Sequence, residues 1–507
     1  MAKGLVYIIG AGPGDPGLIT VKGLNALRRA DVVLFDRLAN ESFLQECRTD
    51  AEQIFVGKMP DRHPVPQHEI NRILVEKAAQ GRTVARLKGG DPYIFGRGGE
   101  EAEALAAAGV PFEIVPGVTA AIAATAYAGI PATHRDCTST VAFITGHEDP
   151  NKTETAVDWS KIATGIGTIV IYMGIKHSKN TIDQILAAGR SPDTPAALIQ
   201  RGTLPSQRTI TATLGTLSDA IEKHGVKPPT LIVVGEVVTM RDKLTWFENR
   251  PLFGARVLVT RSRAQASKLT TALADLGADV MEFHTIKIVP PEDFAPLDEA
   301  IHDAASMDHI VLTSVNGVDG FFNRVSDLGV DIRDLKGPRF WAIGPATRDA
   351  LLARGVRVEK LPMDFFAKAL GEAMGKAVAG QRVLLPRADI APHVLRDDLE
   401  AAGARVTEVT AYRTVLDESM PASAAKAIEA GDVDYITFTS SSTVRNFFEK
   451  TRTLNLEKFK ENAKVISIGP VTSETAREHG LTVHAEAEEY TIPGLVRILQ
   501  AWHESSK

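Results

Sequence analysis

Short apolar runs alternate with amphipathic stretches along nearly the whole chain. In the amphipathic stretches, such as residues 69–80 and 100–108, apolar residues return at helical spacing, which predicts helices. Continuous apolar strands between helices are typical of sheets that are covered on both faces. The pattern therefore predicts an α/β fold with largely parallel sheets. The apolar runs occupy residues 5–9, 31–35, 83–87, 141–145, 168–172 and 230–234.

A polar segment with a proline, residues 248–254, divides the chain. A strand pattern ends shortly before it, and a new strand pattern starts at Arg256. The 507 residues are enough for about three or four domains of ~100–200 residues each. We therefore predict a first region over residues 1–247 and a second over residues 254–507.

The second region contains an internal repeat. Three pairs of segments align in the same order, at offsets of 126, 126 and 125: 256–282 with 382–408, 312–314 with 438–440, and 343–347 with 468–472. Two similar α/β lobes would produce such a repeat, and chance similarity of βα units is the alternative. Ligands of open α/β sheets lie beyond the carboxyl ends of the strands, so we expect a cleft between the lobes.

A glycine-rich turn follows the first predicted strand. Gly12, Gly14 and Gly17 match the spacing G-x-G-x-x-G, and Asp36 lies 19 residues beyond, as in a dinucleotide-binding fingerprint. The two prolines of the turn lack amide donors for a pyrophosphate, and Asp15 adds a negative charge where a phosphate would lie. The turn therefore favours a cationic ligand or one without phosphate. A tight turn with no ligand is the alternative.

Composition adds exclusions. A net charge of −6 offers no basic field for nucleic acid or an anionic membrane. The two cysteines, Cys47 and Cys137, are too few and too far apart for a disulfide framework or a cysteine-based metal site. The apolar run at 5–9 is too short for a signal sequence or a membrane span. We expect a cytoplasmic protein with no metal, nicotinamide cofactor, nucleic-acid partner or membrane contact.

Charged and glycine-rich segments recur through the first region: 36–38, 56–58, 62–63, 65–67, 86–92, 95–101, 115–121, 131–136 and 171–174. In this order, over about residues 4–245, they resemble uroporphyrinogen-III C-methyltransferases. Phe35 and Cys137 stand where a tyrosine and an aromatic residue are usual in that family, and neither departure touches a charged position.

This resemblance implies a two-lobed tetrapyrrole methylase fold, with lobes over about 1–118 and 119–247, and a homodimer formed through this region. It also implies S-adenosylmethionine as the methyl donor, a sulfonium cation that agrees with the character of the glycine-rich turn. By the family pattern, its binding positions are Pro13, Gly89, Gly90, Asp91, Ile94, Thr119, Ala120, Met173 and Gly202.

The same resemblance implies catalytic roles. Asp36 would accept a proton and Lys58 would donate one, because methylating a pyrrole carbon draws electrons out of the ring and the loss of a proton afterwards restores the conjugation. Arg97 and Arg135 suit recognition of the substrate carboxylates. We count Arg97 with the catalytic residues. Glu100 would contact the substrate on its pyrrole N–H side. Arg62 and His63 are weaker candidates, and a solvated loop explains them equally well.

The second region resembles uroporphyrinogen-III synthase over about residues 254–503. The resemblance implies two lobes: lobe one over 254–289 plus 411–503, and lobe two, inserted, over 290–410. Tyr412 is the best candidate to assist departure of a hydroxyl group. Side chains that would hold acetate and propionate groups are Thr313, Ser314, Thr347, Thr439, Ser440 and Thr472. For these hydroxyls, capping of helix N-termini is an alternative of nearly equal weight.

The resemblances together imply an enzyme with two activities on tetrapyrroles. It would cyclise hydroxymethylbilane to uroporphyrinogen III and methylate this product at C2 and C7 to precorrin-2, on the route to siroheme and cobalamin. One alternative is a methylase that acts later on the corrin path. Another is a methyltransferase whose second region only senses tetrapyrroles.

Overall fold

A computed structural model describes residues 3–57, 65–146, 157–260, 263–359, 367–417 and 419–506. Their strands form four five-stranded sheets with helices between the strands, which confirms the α/β prediction. The chain divides into two compact units. The first unit contains Met1–Arg256, Leu273–Asp279 and His503–Lys507, and the second contains Val257–Ala272 and Val280–Trp502.

The first sheet of the first unit has the order β3-β2-β4-β1-β5, and all its strands are parallel. Its strands are β1 (Val6–Gly10), β2 (Val32–Phe35), β3 (Glu52–Phe55), β4 (Val84–Lys88) and β5 (Phe112–Val115). Helices α1 (Val21–Leu27), α2 (Gln67–Ala79) and α3 (Gly98–Ala107) connect them.

Helix α2 shows how the sequence sets these elements. The helix begins directly after Pro66. Proline has no amide hydrogen to donate to a preceding turn, so it is tolerated at the start of a helix and not in its interior. Its buried residues are Ile70, Leu74 and Ala78, four positions apart, and they pack into the core formed with β1, β2 and β4. This single apolar stripe is what the helical spacing of the sequence predicted.

The second sheet of the first unit has the order β6-β7-β10-β8-β9. Only β6 and β7 pair in parallel, whereas β7 with β10, β10 with β8 and β8 with β9 are antiparallel. The expectation of largely parallel sheets is therefore wrong here, because a continuous apolar run reports burial of a strand and not its direction. The elements are β6 (Val141–Thr145), β7 (Thr168–Tyr172), β8 (Pro195–Gln200), β9 (Arg208–Thr213), β10 (Thr230–Val234), α4 (Ala120–Tyr127), α5 (Trp159–Gly165), α6 (Ser178–Ala187), α7 (Leu217–Lys223) and α8 (Arg241–Leu244).

One sheet of the second unit has the order β12-β11-β18-β19-β20, and the other has the order β13-β17-β16-β14-β15. The strands are β11 (Arg256–Val259), β12 (Asp279–Glu282), β13 (Ile286–Val289), β14 (His309–Leu312), β15 (Arg339–Ala342), β16 (Arg382–Ala388), β17 (Arg405–Leu416), β18 (Tyr435–Phe438), β19 (Lys464–Ser467) and β20 (Val483–Glu486). The helices are α9 (Arg263–Asp275), α10 (Ala295–His302), α11 (Val315–Asp327), α12 (Pro345–Leu352), α13 (Ala367–Met374), α14 (Val394–Ala401), α15 (Ala422–Ala430), α16 (Ser441–Lys450), α17 (Glu457–Asn462), α18 (Pro470–Glu478) and α19 (Ile492–Ser505).

The internal repeat is visible in the order of these strands. The run β12-β11-β18-β19 of one sheet corresponds, strand for strand, to β17-β16-β14-β15 of the other. The predicted repeat therefore corresponds to two lobes of matching topology. Strand β13 and the whole of β17 join the second sheet, so this sheet extends a few residues beyond the expected range 290–410 at both ends.

Candidate active site

The carboxyl ends of β1, β2, β4 and β5 lie at one edge of the first sheet, because the strands are parallel. The glycine-rich turn follows β1, Asp36 follows β2, the Gly89-Gly90-Asp91 segment follows β4 and Gly117 follows β5 shortly after its end. The sheet thus brings together residues that are far apart in the sequence. This edge is where open α/β sheets bind their ligands.

Three glycines allow the loops at this edge to approach one another. A Cβ atom on Gly10 would lie 2.5 Å from the Cα atom of Gly117, and one on Gly117 would lie 2.4 Å from the carbonyl oxygen of Gly90. Gly90 also exchanges two backbone hydrogen bonds with Gly12, of 2.7 and 3.2 Å. We call Gly10, Gly90 and Gly117 the glycine cradle, because a side chain at Gly10 or Gly117 would force the loops apart.

One side of the cradle is open. A Cβ atom on Gly90 would meet nothing closer than the amide nitrogen of Ala120 at 3.9 Å and the Cα atom of Thr119 at 4.0 Å. Gly90 has a φ of +70°, so its backbone turns in a way that other residues rarely adopt. A methyl-sized group therefore fits beside Gly90, in van der Waals contact with the start of α4. All three residues were predicted to bind the methyl donor.

The carboxylate of Asp91, another predicted donor-binding residue, joins two loops. It accepts hydrogen bonds from the amides of Tyr93, at 2.8 Å, and Gly117, at 3.0 Å. These bonds hold the loop after β4 against the loop after β5. The acidic group therefore fixes the shape of the cradle, which the sequence did not reveal, and its remaining lone pairs stay available to a ligand.

Asp15 of the glycine-rich turn also has a structural task. Its carboxylate accepts hydrogen bonds from the Tyr127 hydroxyl at 2.6 Å and from the Gly17 amide at 2.7 Å. Burial, followed by the hydrogen bond to Asp15, raises the pKa of Tyr127, so this residue remains a donor. The amide of Asp15 donates to the Thr203 hydroxyl at 3.0 Å. The turn is thereby attached to the loop that follows β8.

Strained backbone marks the loops that surround this region. Among the residues that the structure describes, five that are not glycine have positive φ: Phe95, Arg97, Met173, Arg201 and Thr203. They lie in the loops after β4, β7 and β8, and Met173 and the neighbouring Gly202 were predicted to bind the donor. Each such residue costs about 1–3 kcal/mol, and such strain is concentrated at functional sites.

Tyr172 at the end of β7 connects the two sheets of this unit. Its hydroxyl oxygen accepts a hydrogen bond from the Ala121 amide at 2.7 Å and lies 2.5 Å from the Thr119 hydroxyl. Burial raises its pKa. Its ring packs against Phe95, with 5.1 Å between the ring centroids. Tyr172 therefore orders both the start of α4 and the loop after β4.

Asp36, the predicted proton acceptor, is fixed at the end of β2. One carboxylate oxygen accepts the Leu38 amide at 3.0 Å, and the other lies 3.3 Å from a guanidinium nitrogen of Arg86. A quarter of the Asp36 side chain is exposed. The carboxylate is thus oriented by two donors while it remains accessible from the sheet edge.

A buried charge cluster, Arg86, Lys88 and Glu101, lies behind Asp36. The Glu101 side chain is fully buried, and one of its oxygens accepts from Arg86 Nε at 3.1 Å, from Lys88 Nζ at 2.8 Å and from Gln67 Nε2 at 3.2 Å. Burial, and secondly the charge of Arg86, lower the pKa of Lys88. Sequence reasoning missed this cluster, although two cations on one face of an apolar strand were a signal.

Arg97 and Glu100, both predicted substrate contacts, are exposed and paired with each other. Two hydrogen bonds, of 2.8 and 2.7 Å, join the guanidinium group to the two carboxylate oxygens. This pairing lowers the pKa of Glu100. An exposed ion pair of this kind contributes little to the stability of the fold. Arg135 is also exposed. Lys58, Arg62 and His63 lie outside the described residues.

Exposed apolar side chains surround the same edge. They lie in the loops that follow β2, β4 and β7. Exposed positions in such loops are normally occupied by polar residues. Exposed in this way are Leu38, Tyr93, Ile94, Phe95 and Met173. These side chains offer apolar contact surface to a ligand at this edge.

In the second unit, Tyr412 and Ser314 meet at the end of the sheet that contains β14 and β17. Their hydroxyl oxygens are 3.1 Å apart. Ser314 also caps α11 by accepting the Gly317 amide, and Ser440, its counterpart in the repeat, caps α16 by accepting the Thr443 amide. The capping interpretation is therefore confirmed for these two serines. Their neighbours Thr313 and Thr439 are half-buried.

Thr347 and Thr472 behave differently. Each lies inside the first turn of its helix, α12 or α18, after a glycine and a proline, and neither helix has a side-chain cap. Both threonines are buried. The capping interpretation is therefore wrong for them, because Gly344 and Gly469 occupy the capping positions.

In the described part of the chain, no group of three or more His, Cys, Asp or Glu residues is arranged to hold a metal ion. Within the same residues, no helix is both long enough and apolar enough to span a membrane.

Known proteins match both units. The family model of tetrapyrrole (corrin/porphyrin) methylases matches residues 5–218, and the model of uroporphyrinogen-III synthase HemD matches residues 267–497. A porphyrin biosynthesis protein HemD from Ruminiclostridium josui is 38% identical over 98% of this chain and 97% of its own length. The chain belongs to this family of fused tetrapyrrole-biosynthesis enzymes. Both resemblances inferred from the sequence are thereby confirmed.

The first region also matches separate methyltransferases. A uroporphyrinogen-III C-methyltransferase from Bacillus subtilis is 52% identical over 48% of this chain and 95% of its own length. The chain is therefore an enzyme with a tetrapyrrole methyltransferase region and a uroporphyrinogen-III synthase region. A solved structure of uroporphyrin-III C-methyl transferase from Thermus thermophilus, complexed with S-adenyl homocysteine, is 38% identical and covers 46% of this chain and 99% of its own, with a TM-score of 0.41.

Proposed function

We propose that the chain cyclises hydroxymethylbilane to uroporphyrinogen III and methylates this product at C2 and C7 to precorrin-2, with S-adenosylmethionine as donor. The observation that carries the proposal is the position of Asp36, an oriented and accessible carboxylate on the same sheet edge as the open side of the glycine cradle. A methyl acceptor and a methyl donor must meet at one place, with a base nearby.

The residues around the cradle fit S-adenosylmethionine. The space between Gly90 and the start of α4 admits close approach to backbone, and Ile94 and Met173 offer exposed apolar surface. Asp15 would repel a pyrophosphate and favours a cation. The predicted donor-binding set, with Pro13, Gly89, Asp91, Thr119, Ala120 and Gly202, stays our proposal for this site. When bound, the donor supplies an electrophilic methyl group.

The protein's own residues then act on the tetrapyrrole. Arg97 and Arg135 bind substrate carboxylates at the exposed rim, and Glu100, released from Arg97, accepts a pyrrole N–H. The methylated carbon already carries a side chain and has no hydrogen to lose. Asp36 therefore takes the proton that a ring nitrogen or an adjacent bridging carbon of the tetrapyrrole gives up after methyl transfer, which restores conjugation, and Lys58 holds or returns a proton. The apolar faces of the substrate lie against the exposed apolar side chains of the same edge.

For the synthase reaction, we propose that Tyr412 assists departure of the terminal hydroxyl group of hydroxymethylbilane. Its contact with Ser314 fixes the direction of the phenol group. The half-buried Thr313, Thr439 and Ser440 are proposed to bind substrate carboxylates beside the helix N-termini. Thr347 and Thr472, which are both buried, remain candidates for the same task.

The remaining expectations are also proposals. We keep the domain limits 1–247 and 254–507, and we propose a homodimer formed through the methyltransferase region, to be measured by light scattering after gel filtration. A cytoplasmic location is supported by two free cysteines, Cys47 and Cys137.

The test uses the whole chain. It is incubated with hydroxymethylbilane, with and without S-adenosylmethionine. The products are separated, and their molecular masses are measured by mass spectrometry. We expect uroporphyrinogen III without the donor and a product heavier by two methyl groups with it. Failure to methylate supplied uroporphyrinogen III would reject the methyltransferase proposal, and a panel of partly methylated precorrins would then identify a later methylase. Methylation without cyclisation would favour a sensing role for the second region.

A further inference from the structure

We infer that Arg86 is a positioning residue for methyl transfer: held by the buried Glu101, it orients the carboxylate of Asp36 toward the substrate. The inference rests on the proposed function of Asp36, and it assigns a task to charged residues that the proposed reaction does not otherwise use.

The first argument is the geometry of Arg86, whose side chain is almost completely buried. All three guanidinium nitrogens have a partner. Nε donates to Glu101 at 3.1 Å, Nη1 donates to the carbonyl oxygen of Leu87 at 2.9 Å and Nη2 donates to Asp36 at 3.3 Å. A planar guanidinium held at two nitrogens has no freedom at the third. The hydrogen bonds to Glu101 and Leu87 therefore set the direction in which Nη2 donates to Asp36.

The second argument is the balance of charge. The two cations are Arg86 and Lys88 on β4, and the two anions are Asp36, directly after β2, and Glu101 on α3. The neutral Gln67 of α2 completes the contacts of Glu101. Three donors share a single oxygen of Glu101, and its other oxygen has no partner among the described residues. If Arg86 only balanced the charge of the buried Glu101, it would need no contact beyond Glu101. This network instead continues to a carboxylate at the accessible edge.

The consequence concerns the proton-transfer step. Asp36 is on a short strand end, and its other contact is a local amide two residues away. Without Arg86, the carboxylate could rotate about its side-chain bonds while substrate and donor still bind. The reaction rate should therefore fall much more than substrate affinity does, because a small displacement of a reacting group reduces a rate strongly.

The test compares Arg86→Lys with the double variant Arg86→Met/Glu101→Gln. The double variant removes one cation and one anion, so the charges of Lys88 and Asp36 still balance. The control is Arg72→Met on the exposed face of α2, where Arg72 pairs with Glu69 and Glu76. Methylation of uroporphyrinogen III is measured together with binding of S-adenosylhomocysteine by calorimetry and thermal unfolding.

We expect kcat to fall by roughly 10²-fold in the double variant and less in Arg86→Lys, with KM for uroporphyrinogen III and affinity for S-adenosylhomocysteine changed by no more than about twofold. The control should match the wild type. Wild-type kcat in a folded double variant would overturn the inference alone, as would losses of affinity and thermal stability that parallel the loss of kcat. An inactive wild type would overturn the proposed function and this inference with it.

Discussion

The two units of this protein provide their candidate sites in different ways. In the methyltransferase unit, five non-glycine residues with positive φ and a buried charge cluster surround the site. In the second unit, the described candidates are hydroxyl groups near the starts of helices, placed by two lobes of matching topology, and no described non-glycine residue has positive φ.

The difference agrees with the two proposed reactions. Methyl transfer joins two separately bound molecules, so its rate depends on groups that are held in place before they react. Cyclisation joins two ends of one molecule, and the protein contributes mainly by ordering a flexible chain. Strained backbone and buried ions are thus expected in the first unit, whereas neutral hydrogen-bonding groups are sufficient in the second.

The strongest test of this comparison is Gly117→Ala. The new Cβ atom would lie 2.4 Å from the carbonyl oxygen of Gly90, so the cradle must open. We expect methylation to fall by at least roughly 10²-fold and binding of S-adenosylhomocysteine to be lost, with cyclisation unchanged. The control is Gly165→Ala, because a Cβ atom at Gly165 meets nothing within 4 Å. Normal binding in Gly117→Ala would show that the cradle does not hold the donor.

The next largest effect is expected for Tyr412→Phe in the second unit. The variant keeps the ring and loses the hydroxyl that lies 3.1 Å from Ser314. Formation of uroporphyrinogen III should fall roughly tenfold, equivalent to about 1.4 kcal/mol of activation free energy, while methylation is unchanged. Tyr7→Phe in the first unit serves as control. Because hydroxymethylbilane also cyclises without enzyme, the isomer formed must be identified by chromatography; an unchanged rate would remove Tyr412 from the site.

A smaller effect is expected for Tyr127→Phe, which removes the hydrogen bond from the Tyr127 hydroxyl to Asp15. Loss of a hydrogen bond to a carboxylate should lower the free energy of unfolding by about 1–2 kcal/mol. The glycine-rich turn should also bind S-adenosylhomocysteine several-fold more weakly. Calorimetry and urea unfolding measure the two quantities, with Tyr490→Phe, an exposed tyrosine of the second unit, as control. Stability loss with unchanged affinity would mean that the turn needs no such support.

The smallest effect concerns the exposed pair of Arg97 and Glu100. Arg97 lowers the pKa of Glu100 below its ordinary value. The pair therefore stabilises the fold fully above that ordinary value, and the contribution disappears as pH falls through the lowered pKa. Both groups are exposed, so the difference between wild type and Glu100→Gln should stay under about 1 kcal/mol at neutral pH and vanish in acid. A KM several-fold higher for uroporphyrinogen III is expected. An unchanged KM would exclude Glu100 from substrate binding.

Much of the local structure follows from the order of residues alone. Apolar runs and helical spacing correctly predicted β6, β7 and β10 with the bounds that the structure has, and sliding the chain against itself revealed the two matching lobes. It also placed Asp36 at a strand end beside a turn unsuited to phosphate. These properties depend on which residues are apolar and on the conformations that glycine and proline allow, and both are local.

How these elements combine depends on tertiary packing. The antiparallel pairing of β10 with β7 and β8, the bond between Asp15 and Tyr127, and the contact of Arg86 with both Asp36 and Glu101 join residues distant in the chain. A pattern of apolar positions predicts that a residue is buried, but it does not predict which residues it packs against. Partners of charged groups are selected by packing, which is why the predicted base could be named from the sequence and its supporting arginine could not.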